Sequence, residues 1–295
     1  VGQILRIRFT NRNWGKTIMY RLMVAAIAVT ALIGSTAALA GVRGSKHDLG
    51  ANGQAQATTG ATTEVCVFCH TPHGAATTAS APLWNKTLPP ATSYTRYSSL
   101  NTGTLDGAEV EVGSVSLACL SCHDGTQAMD IVINAPGSGG YNAAGAEIDT
   151  GAIGSMTGTP VPNLGTDLRD DHPISIAYAG GACTNVLADC DPSTQASGDR
   201  DFQPAQYALI NTNNNWWVDV PTFTTDIGGT VTQTGTPDIR EKTDMILYTR
   251  DFTGQDGPSV ECGSCHDPHE DTARPVSFLR VSNANSGVCL ACHIK

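Results

Sequence analysis

The sequence is poor in aromatic and charged residues. Of its 295 residues, 6% are aromatic and 15% are charged, whereas 31 residues are glycine. A chain with so few large apolar side chains buries little apolar surface when it folds. We therefore expect something other than protein side chains to supply much of the core.

Long hydrophobic runs are also lacking, with one exception near the start of the chain. Five basic residues precede an apolar run over 22–33, and Ala38-Leu39-Ala40 follows it. This order is typical of an export signal, so residues 1–40 are predicted to be a signal peptide that is cleaved after Ala40. The alternative is an uncleaved membrane anchor, for which the run is marginal in length. No other segment is apolar enough to span a membrane, so no stable membrane anchor is expected.

Positive charge is scarce after the predicted cleavage. Residues 1–40 hold five of the 17 Lys and Arg and none of the 27 Asp and Glu, so their removal changes the formal net charge from −10 to −15. Such an acidic chain repels the phosphates of nucleic acids and of anionic membranes. Neither is expected as a partner.

Eight of the ten cysteines form four C-x-x-C-H motifs, the attachment motif of c-type haem. Two cysteines three positions apart lie on one side of a helical turn, so both sulfurs can bond one porphyrin edge, and the adjacent histidine can ligate the iron. Zinc is the alternative, because C-x-x-C pairs bind zinc too. Four repeats in an exported chain favour four covalently bound haems. We name the motifs in chain order: site 1 (Cys66, Cys69, His70), site 2 (Cys119, Cys122, His123), site 3 (Cys262, Cys265, His266) and site 4 (Cys289, Cys292, His293).

The two remaining cysteines are Cys183 and Cys190. They lie close together in a turn-rich stretch, and an exported chain meets an oxidising compartment, so we predict a disulfide. Free thiols or a metal site are the alternative.

The chain contains eight histidines, which is the number that four irons with two histidine ligands each would need. Four of its eight histidines belong to the motifs, and the other four are His47, His73, His172 and His269. A spare histidine is more often an ordinary surface or core residue than a ligand. Because the numbers match, we predict that these four are the distal ligands of bis-histidine haems. A methionine could replace one of them. Asp170 or Asp171 is a candidate to orient His172 through its other ring nitrogen.

Sites 1 and 3 continue as C-H-x-P-H, which places His73 and His269 three residues after a proximal histidine. The two axial ligands of one iron lie on opposite faces of the porphyrin. A three-residue connection spans at most ~10 Å, too little to pass round the ring. Each second histidine is therefore predicted to serve a different iron, which fixes two haems side by side.

The motifs divide the chain into a haem-doublet region over 41–135, a haem-free middle segment over 136–250 and a second doublet over 251–295. The middle segment carries a candidate hairpin over 224–232 and the pair Trp216-Trp217, which we expect to lie in the core or beside a haem. The predicted fold class is a multihaem cytochrome c with little regular secondary structure. Short helices and a few short strands would wrap round a chain of four haems.

Several segments resemble the multihaem c-type cytochromes with doubled motifs: CHTPHGA, Pro82-Leu83-Trp84-Asn85, CLSCHDGT, DHPIS and the ending from CHDPH to VCLACH. The four motifs and the short arm around His47 look most like the tetrahaem outer-surface cytochromes that polymerise into extracellular filaments. The resemblance implies a homopolymer in which His47 ligates a haem of the adjacent subunit. The residues alone leave open whether His47 acts within its own chain instead.

Electron transfer is the predicted function, and no enzymatic activity is expected, since bis-histidine ligation leaves no iron open to substrate. Redox proteins or extracellular electron acceptors would be the partners, and the location extracellular or at the cell surface. The alternatives are a soluble monomeric periplasmic shuttle and a redox enzyme with one open haem. Export also makes the sequon at Asn85 a candidate glycosylation site, although a sequon alone is a weak signal.

Overall fold

The computed structural model describes part of the chain, in twelve ranges. These are 41–50, 62–136, 140–141, 148–149, 154–156, 162–184, 190–195, 198–220, 223–225, 231–233, 239–269 and 278–294. The predicted signal peptide lies outside them. Within them, no helix has the length and apolar character that crossing a membrane requires.

A five-stranded antiparallel sheet is the main element of the second half of the chain. Its strand order is β5-β11-β10-β7-β6. The strands are β5 (Ile176–Ala177), β6 (Gln206–Ile210), β7 (Asn213–Val218), β10 (Met245–Asp251) and β11 (Asp256–Val260). Val218 lies opposite Met245 and Trp216 opposite Leu247, so β7 and β10 bring four buried apolar side chains into register. Burial of these pairs stabilises the centre of the sheet.

The core beside this sheet consists of protein side chains. Its buried members are Tyr178, Ala179, Cys183, Cys190, Ala205, Trp216, Val218, Met245, Leu247 and Ala291. Trp216 and Trp217 are both buried, which confirms the expectation that the tandem tryptophans are core residues. Ala291 brings site 4 into contact with this core.

Three two-stranded sheets complete the described strands. They pair β1 (Ile131–Val132) with β4 (Ile148–Asp149), β2 (Asn134–Ala135) with β3 (Gly140–Tyr141), and β8 (Phe223–Thr225) with β9 (Val231–Gln233). In the last pair Thr224 lies opposite Thr232, which confirms the hairpin predicted there. The division of the chain into two haem-doublet regions and a middle segment stays a prediction.

The described helices are short, and the cysteine motifs lie on four of them, namely the three α-helices and one 3-10 helix. The α-helices are α1 (Ser114–His123), α2 (Cys262–Cys265) and α3 (Gly287–Leu290). The 3-10 helices are Cys66–Phe68, Ala91–Ser93, Tyr97–Leu100, Tyr178–Gly181, Pro192–Thr194 and Ala284–Ser286. All four C-x-x-C-H motifs thus begin in or on a helical turn, as the spacing of their cysteines predicts.

The predicted fold class is wrong. A multihaem fold with little regular secondary structure was expected, and the structure has a five-stranded antiparallel sheet with a core of its own. The expectation relied on the average composition, which the Gly-, Thr- and Asn-rich segments dominate. Two shorter stretches, 206–218 and 245–260, have the β-branched and aromatic residues that favour strands, and they pair with one another.

Candidate cofactor-binding sites

Site 1 lies alongside the segment 82–85, which follows it in the chain. The backbone N–H of Thr71 donates to the carbonyl of Leu83 (2.8 Å), and the N–H of Asn85 donates to the carbonyl of Cys69 (2.9 Å). The Asn85 side chain is fully buried and donates to the carbonyl of Val67 at 2.6 Å. Asn85 therefore holds the segment 82–85 against site 1 by hydrogen bonds. Because its side chain is buried, the prediction of a glycosylation site at Asn85 is wrong.

Lys86, the next residue, places a buried ammonium group beside the same segment. The side chain is fully buried, and its Nζ donates to the carbonyls of Ala128 (3.0 Å), Met129 (3.4 Å) and Ile131 (2.5 Å). Carbonyl oxygens satisfy the three donors of the ammonium group, without which its burial would be costly. Lys86 thereby ties the segment beside site 1 to the chain that follows site 2.

Sites 2 and 3 meet where α1 packs against α2. Ser116 on α1 donates to a carboxylate oxygen of Glu261 at 2.5 Å and accepts from the backbone N–H of Cys262 at 3.0 Å. A Cβ added at Gly263 would meet the side chains of Tyr248 and Val115. Glycine at this variable position of the third motif therefore lets the two motif helices approach each other closely.

Glu261 is the centre of a buried polar network at this junction. Its carboxylate pairs with Arg250 at 2.9 Å and accepts hydrogen bonds from Ser175 (3.1 Å) and Ser259 (3.0 Å). Burial raises the pKa of Glu261, although Ser116, Arg250 and the other donors act in the opposite direction. A buried carboxylate with this many donors holds its neighbours in one arrangement.

The sulfurs of sites 2 and 3 are direct neighbours. The Cys119 thiol donates a hydrogen bond to the Cys262 sulfur, which raises the pKa of Cys119 and lowers that of Cys262. A porphyrin edge attached at site 2 would therefore start next to one attached at site 3.

Thiols of the other consecutive sites also influence each other. The pKa of the Cys69 thiol is raised to about 12, first by burial and next by the Cys122 thiol. The pKa of the Cys292 thiol is likewise raised to about 12, first by burial and next by the Cys265 thiol. Site 1 thus neighbours site 2, and site 3 neighbours site 4. The four attachment points are linked in chain order.

Backbone carbonyls hold the predicted proximal histidines of sites 1 and 2 in one orientation. His70 Nδ1 lies 2.7 Å from the carbonyl of Pro82, and His123 Nδ1 lies 2.7 Å from the carbonyl of Pro162. A carbonyl can only accept, so Nδ1 carries the proton and the lone pair is on Nε2. This is how metal-binding histidines are usually oriented, with one nitrogen held and the other available to the metal.

The same chain brings two of the predicted distal histidines to these proximal ones. The ring centroids of His70 and His269 are 6.0 Å apart with an interplanar angle of 16°. Those of His47 and His123 are 6.1 Å apart with an interplanar angle of 78°. Two predicted proximal–distal pairs therefore exist within one chain.

His47 belongs to an arm, residues 41–50, that packs on the chain after site 3 and on site 1. The backbone N–H of Gly41 donates to the carbonyl of His269 at 2.9 Å, and Leu49 packs on Phe68 inside the first motif. The His47 ring stacks on Phe278 at 4.1 Å. Its pKa is lowered to about 4, chiefly by burial and next by His123, so the ring is neutral at pH 7.

The other two predicted distal histidines lie apart. His73 and His172 are exposed, and among the described residues neither has a ring contact with another histidine. His172 Nδ1 contacts the carbonyl of Pro173 at 2.9 Å, so a carbonyl orients this ring and the expectation of Asp170 or Asp171 in that role is wrong.

The structure confirms the predicted disulfide, whereas haem attachment at sites 1–4 stays a prediction. Cys183 and Cys190 form the predicted disulfide, and the eight cysteines of sites 1–4 are thiols. The disulfide is buried in the core beside the sheet.

Several contributors to these sites were missed by the sequence interpretation. The carbonyls of Pro82 and Pro162 are backbone groups, and no side-chain pattern reveals them. Trp84 has its ring centroid 6.0 Å from that of His70, and its buried indole N–H has no hydrogen-bond partner among the described residues. A buried donor beside the proximal histidine is available to a polar group of a cofactor, so the residues present at site 1 fit a haem. Trp84 lies in the segment Pro82-Leu83-Trp84-Asn85, which was singled out only for its resemblance.

Within the described ranges, no group of three or more His, Cys, Asp or Glu side chains is arranged to hold a metal ion. A haem iron takes only two axial ligands from the protein, so a histidine pair matches its needs. Comparison with protein-family models and with curated proteins finds no match for this chain. The interpretation of the sites therefore rests on their own residues.

Proposed function

We propose that the chain transfers electrons through four covalently attached c-type haems. The observation that carries the proposal is the contact between sites 2 and 3, where Ser116 on α1 accepts a hydrogen bond from the backbone N–H of Cys262 at 3.0 Å. The raised pKa values of the Cys69 and Cys292 thiols agree with similar proximity of site 1 to site 2 and of site 3 to site 4. Consecutive attachment sites that lie side by side would keep successive porphyrin edges close. Short distances between cofactors are what electron transfer needs from a protein.

The residues have defined parts in this proposal. The cysteines of sites 1–4 would form the thioether bonds, and the motif histidines would be the proximal ligands. Carbonyls such as that of Pro82 hold the ring of His70 at Nδ1, which would leave Nε2 available to ligate the iron. The Ser116–Glu261 bond holds α1 against α2, which keeps sites 2 and 3 in register.

Bound haems supply one-electron exchange between ferric and ferrous iron. An iron that two histidines ligate would have no open position for a substrate, so we propose electron transfer without enzymatic conversion. Two imidazoles without a methionine also favour low reduction potentials.

Partners and location follow from the same proposal. Redox proteins or extracellular electron acceptors would exchange electrons with the haems, after export of the chain to the cell surface or the periplasm. The homopolymer implied by the resemblance stays a prediction. The contact of His47 with His123 in its own chain favours intrachain ligation over ligation of an adjacent subunit.

The proposal is tested by counting haems on the protein expressed with a c-type maturation system. Intact-mass spectrometry and the pyridine haemochrome assay should both give four haems per chain. The double variant Cys289→Ser/Cys292→Ser should lose one of them. Cys183→Ser/Cys190→Ser is the matched control and should keep all four. A protein that leaves the maturation system with no covalent haem, or with bound zinc, would contradict the proposal.

A further inference from the structure

The histidine pairs allow the iron ligands to be assigned, an inference that rests on the proposed function. We propose that His269 is the distal axial ligand of the iron that His70 holds at site 1. In the same way, His47 is the distal ligand of the iron that His123 holds at site 2, within one chain.

The separation of the rings is the first support. Two imidazoles on opposite faces of one metal ion are each joined to it by a bond of about 2.0 Å, and each ring centre lies about 1.1 Å beyond its nitrogen. Their centroids should then be about 6.2 Å apart. The observed separations are 6.0 Å for His70 and His269 and 6.1 Å for His47 and His123.

Face-to-face packing does not explain the separation of the nearly parallel pair. Carbon atoms in contact lie about 3.5–4.0 Å apart, and the stacking of His47 on Phe278 has a centroid separation of 4.1 Å. The rings of His70 and His269, 6.0 Å apart at 16°, therefore leave space for a metal ion at the midpoint. The separation of His47 and His123 is also typical of edge-to-face contacts, so their assignment depends on ring orientation and chain path as well.

The orientation of the rings is the second support. In both proximal histidines Nδ1 donates to a carbonyl, which leaves Nε2 for the metal. His269 Nδ1 lies 3.4 Å from a carboxylate oxygen of Asp267, and His47 Nδ1 lies 3.4 Å from the carbonyl of Pro268. All four rings thus have an acceptor at Nδ1, as an iron-facing Nε2 requires.

The chain path is the third support. His269 is too close in sequence to His266 to reach the far face of the site 3 iron, and its pairing with His70 satisfies this restriction. His47 sits on an arm that Asp48 braces internally, through carboxylate bonds from the backbone N–H groups of Gly44 (2.8 Å) and Gly50 (3.0 Å). A braced and docked arm supplies its histidine to its own chain. His73 and His172 then remain for the irons of sites 3 and 4.

The two pairs differ in a property that spectroscopy detects. The imidazole planes are nearly parallel at site 1, at 16°, and nearly perpendicular at site 2, at 78°. Ferric bis-histidine haems with parallel planes give rhombic low-spin EPR signals, whereas perpendicular planes give a highly axial signal with a larger maximal g-value. Site 2 should therefore contribute a highly axial signal and site 1 a rhombic one.

The experiment compares ferric EPR spectra of the fully haem-loaded protein with those of His47→Ala and His269→Ala. In each variant, one of the four low-spin haems should become high-spin. His47→Ala should lose one haem equivalent of the highly axial signal, and His269→Ala one equivalent of the rhombic signal. Added imidazole should restore the low-spin state in both. His172→Ala is the matched control, and it should leave these two signals intact.

A second substitution covers the case in which the alanine variants fold poorly. His47→Met should keep one haem low-spin through the methionine sulfur and raise the potential of a single haem. The assignment is overturned if His47→Ala removes a rhombic signal, or if neither alanine variant gains a high-spin haem. In these outcomes four haems would still be counted, so they are distinct from failure of the proposed function.

Discussion

The imidazole ring of His269 lies 6.0 Å from that of His70, with the two planes 16° from parallel. The two residues come from opposite ends of the described chain. His70 belongs to the first C-x-x-C-H motif and His269 follows the third, so the contact joins two motifs that are distant in the chain. Because this contact joins groups distant in sequence, buried links between the sites should matter for stability.

Removal of the carboxylate at the junction of sites 2 and 3 should be strongly destabilising. Glu261→Ala leaves Arg250 without its partner at 2.9 Å and removes the acceptor of Ser116, so we expect a loss of about 3–5 kcal/mol in the free energy of unfolding. Chemical denaturation measures it. Asp167→Ala, which breaks an exposed pair with Arg169, is the control and should have no measurable effect. Equal effects of the two variants would contradict a structural role for the network.

The same carboxylate should make stability depend on pH. Burial raises the pKa of Glu261 in the folded state above its ordinary value of 4.5, so the folded state binds the proton more tightly than the unfolded state does. Stability contributed by the bound proton is therefore present at and below pH 4.5 and is lost as the pH rises through the folded-state pKa. Denaturation midpoints of Glu261→Gln should lack this decrease. A wild type whose stability rises relative to the variant over that range would contradict the expected sign.

The disulfide should contribute to stability without affecting the haem sites. It closes a short loop in the core, and loss of such a cross-link from Cys183→Ser/Cys190→Ser should cost about 2–3 kcal/mol. Thermal and chemical unfolding measure the loss, and the haem content of the variant should be unchanged. An unchanged denaturation midpoint would show that the bridge does not constrain the fold.

Lys86 should contribute strongly to the stability of the fold beside site 1. Lys86→Met keeps the length of the side chain but leaves three carbonyls without their donor, so we expect a loss of about 2–4 kcal/mol. Lys46→Met, at an exposed lysine, is the matched control. If both substitutions have the same small effect on the denaturation midpoint, the three contacts of Lys86 contribute little.

Assembly should be independent of His47. Because this histidine faces His123 of its own chain, His47→Ala should leave the oligomeric state as it is in the wild type. Native mass spectrometry and negative-stain microscopy of both proteins check this. Filaments that dissociate in His47→Ala would instead support the arrangement implied by the resemblance, with His47 on the adjacent subunit.

The parts of the structure that the sequence predicted depend on residues near one another in the chain. The disulfide, the helical turns at the four motifs, and the pairing of Thr224 with Thr232 all lie within a few residues. The five-stranded sheet was missed because its strands are short stretches in a chain of unfavourable average composition. Lys86 and Glu261 were missed as well, because nothing local distinguishes a buried charged residue from a solvated one.

The sequence by itself determined how many haem sites to expect, which cysteines and proximal histidines would form each, and which four histidines remained. It also predicted that His269 would not serve an iron bound at its own motif, because a three-residue span is short. Only the tertiary structure decided that His269 faces His70 and that His47 faces His123. Those pairings depend on the path of the whole chain, which places the arm and the third motif beside the first two. The length of a short segment limits which sites a histidine can reach, and the packing of the whole chain decides which histidine it meets.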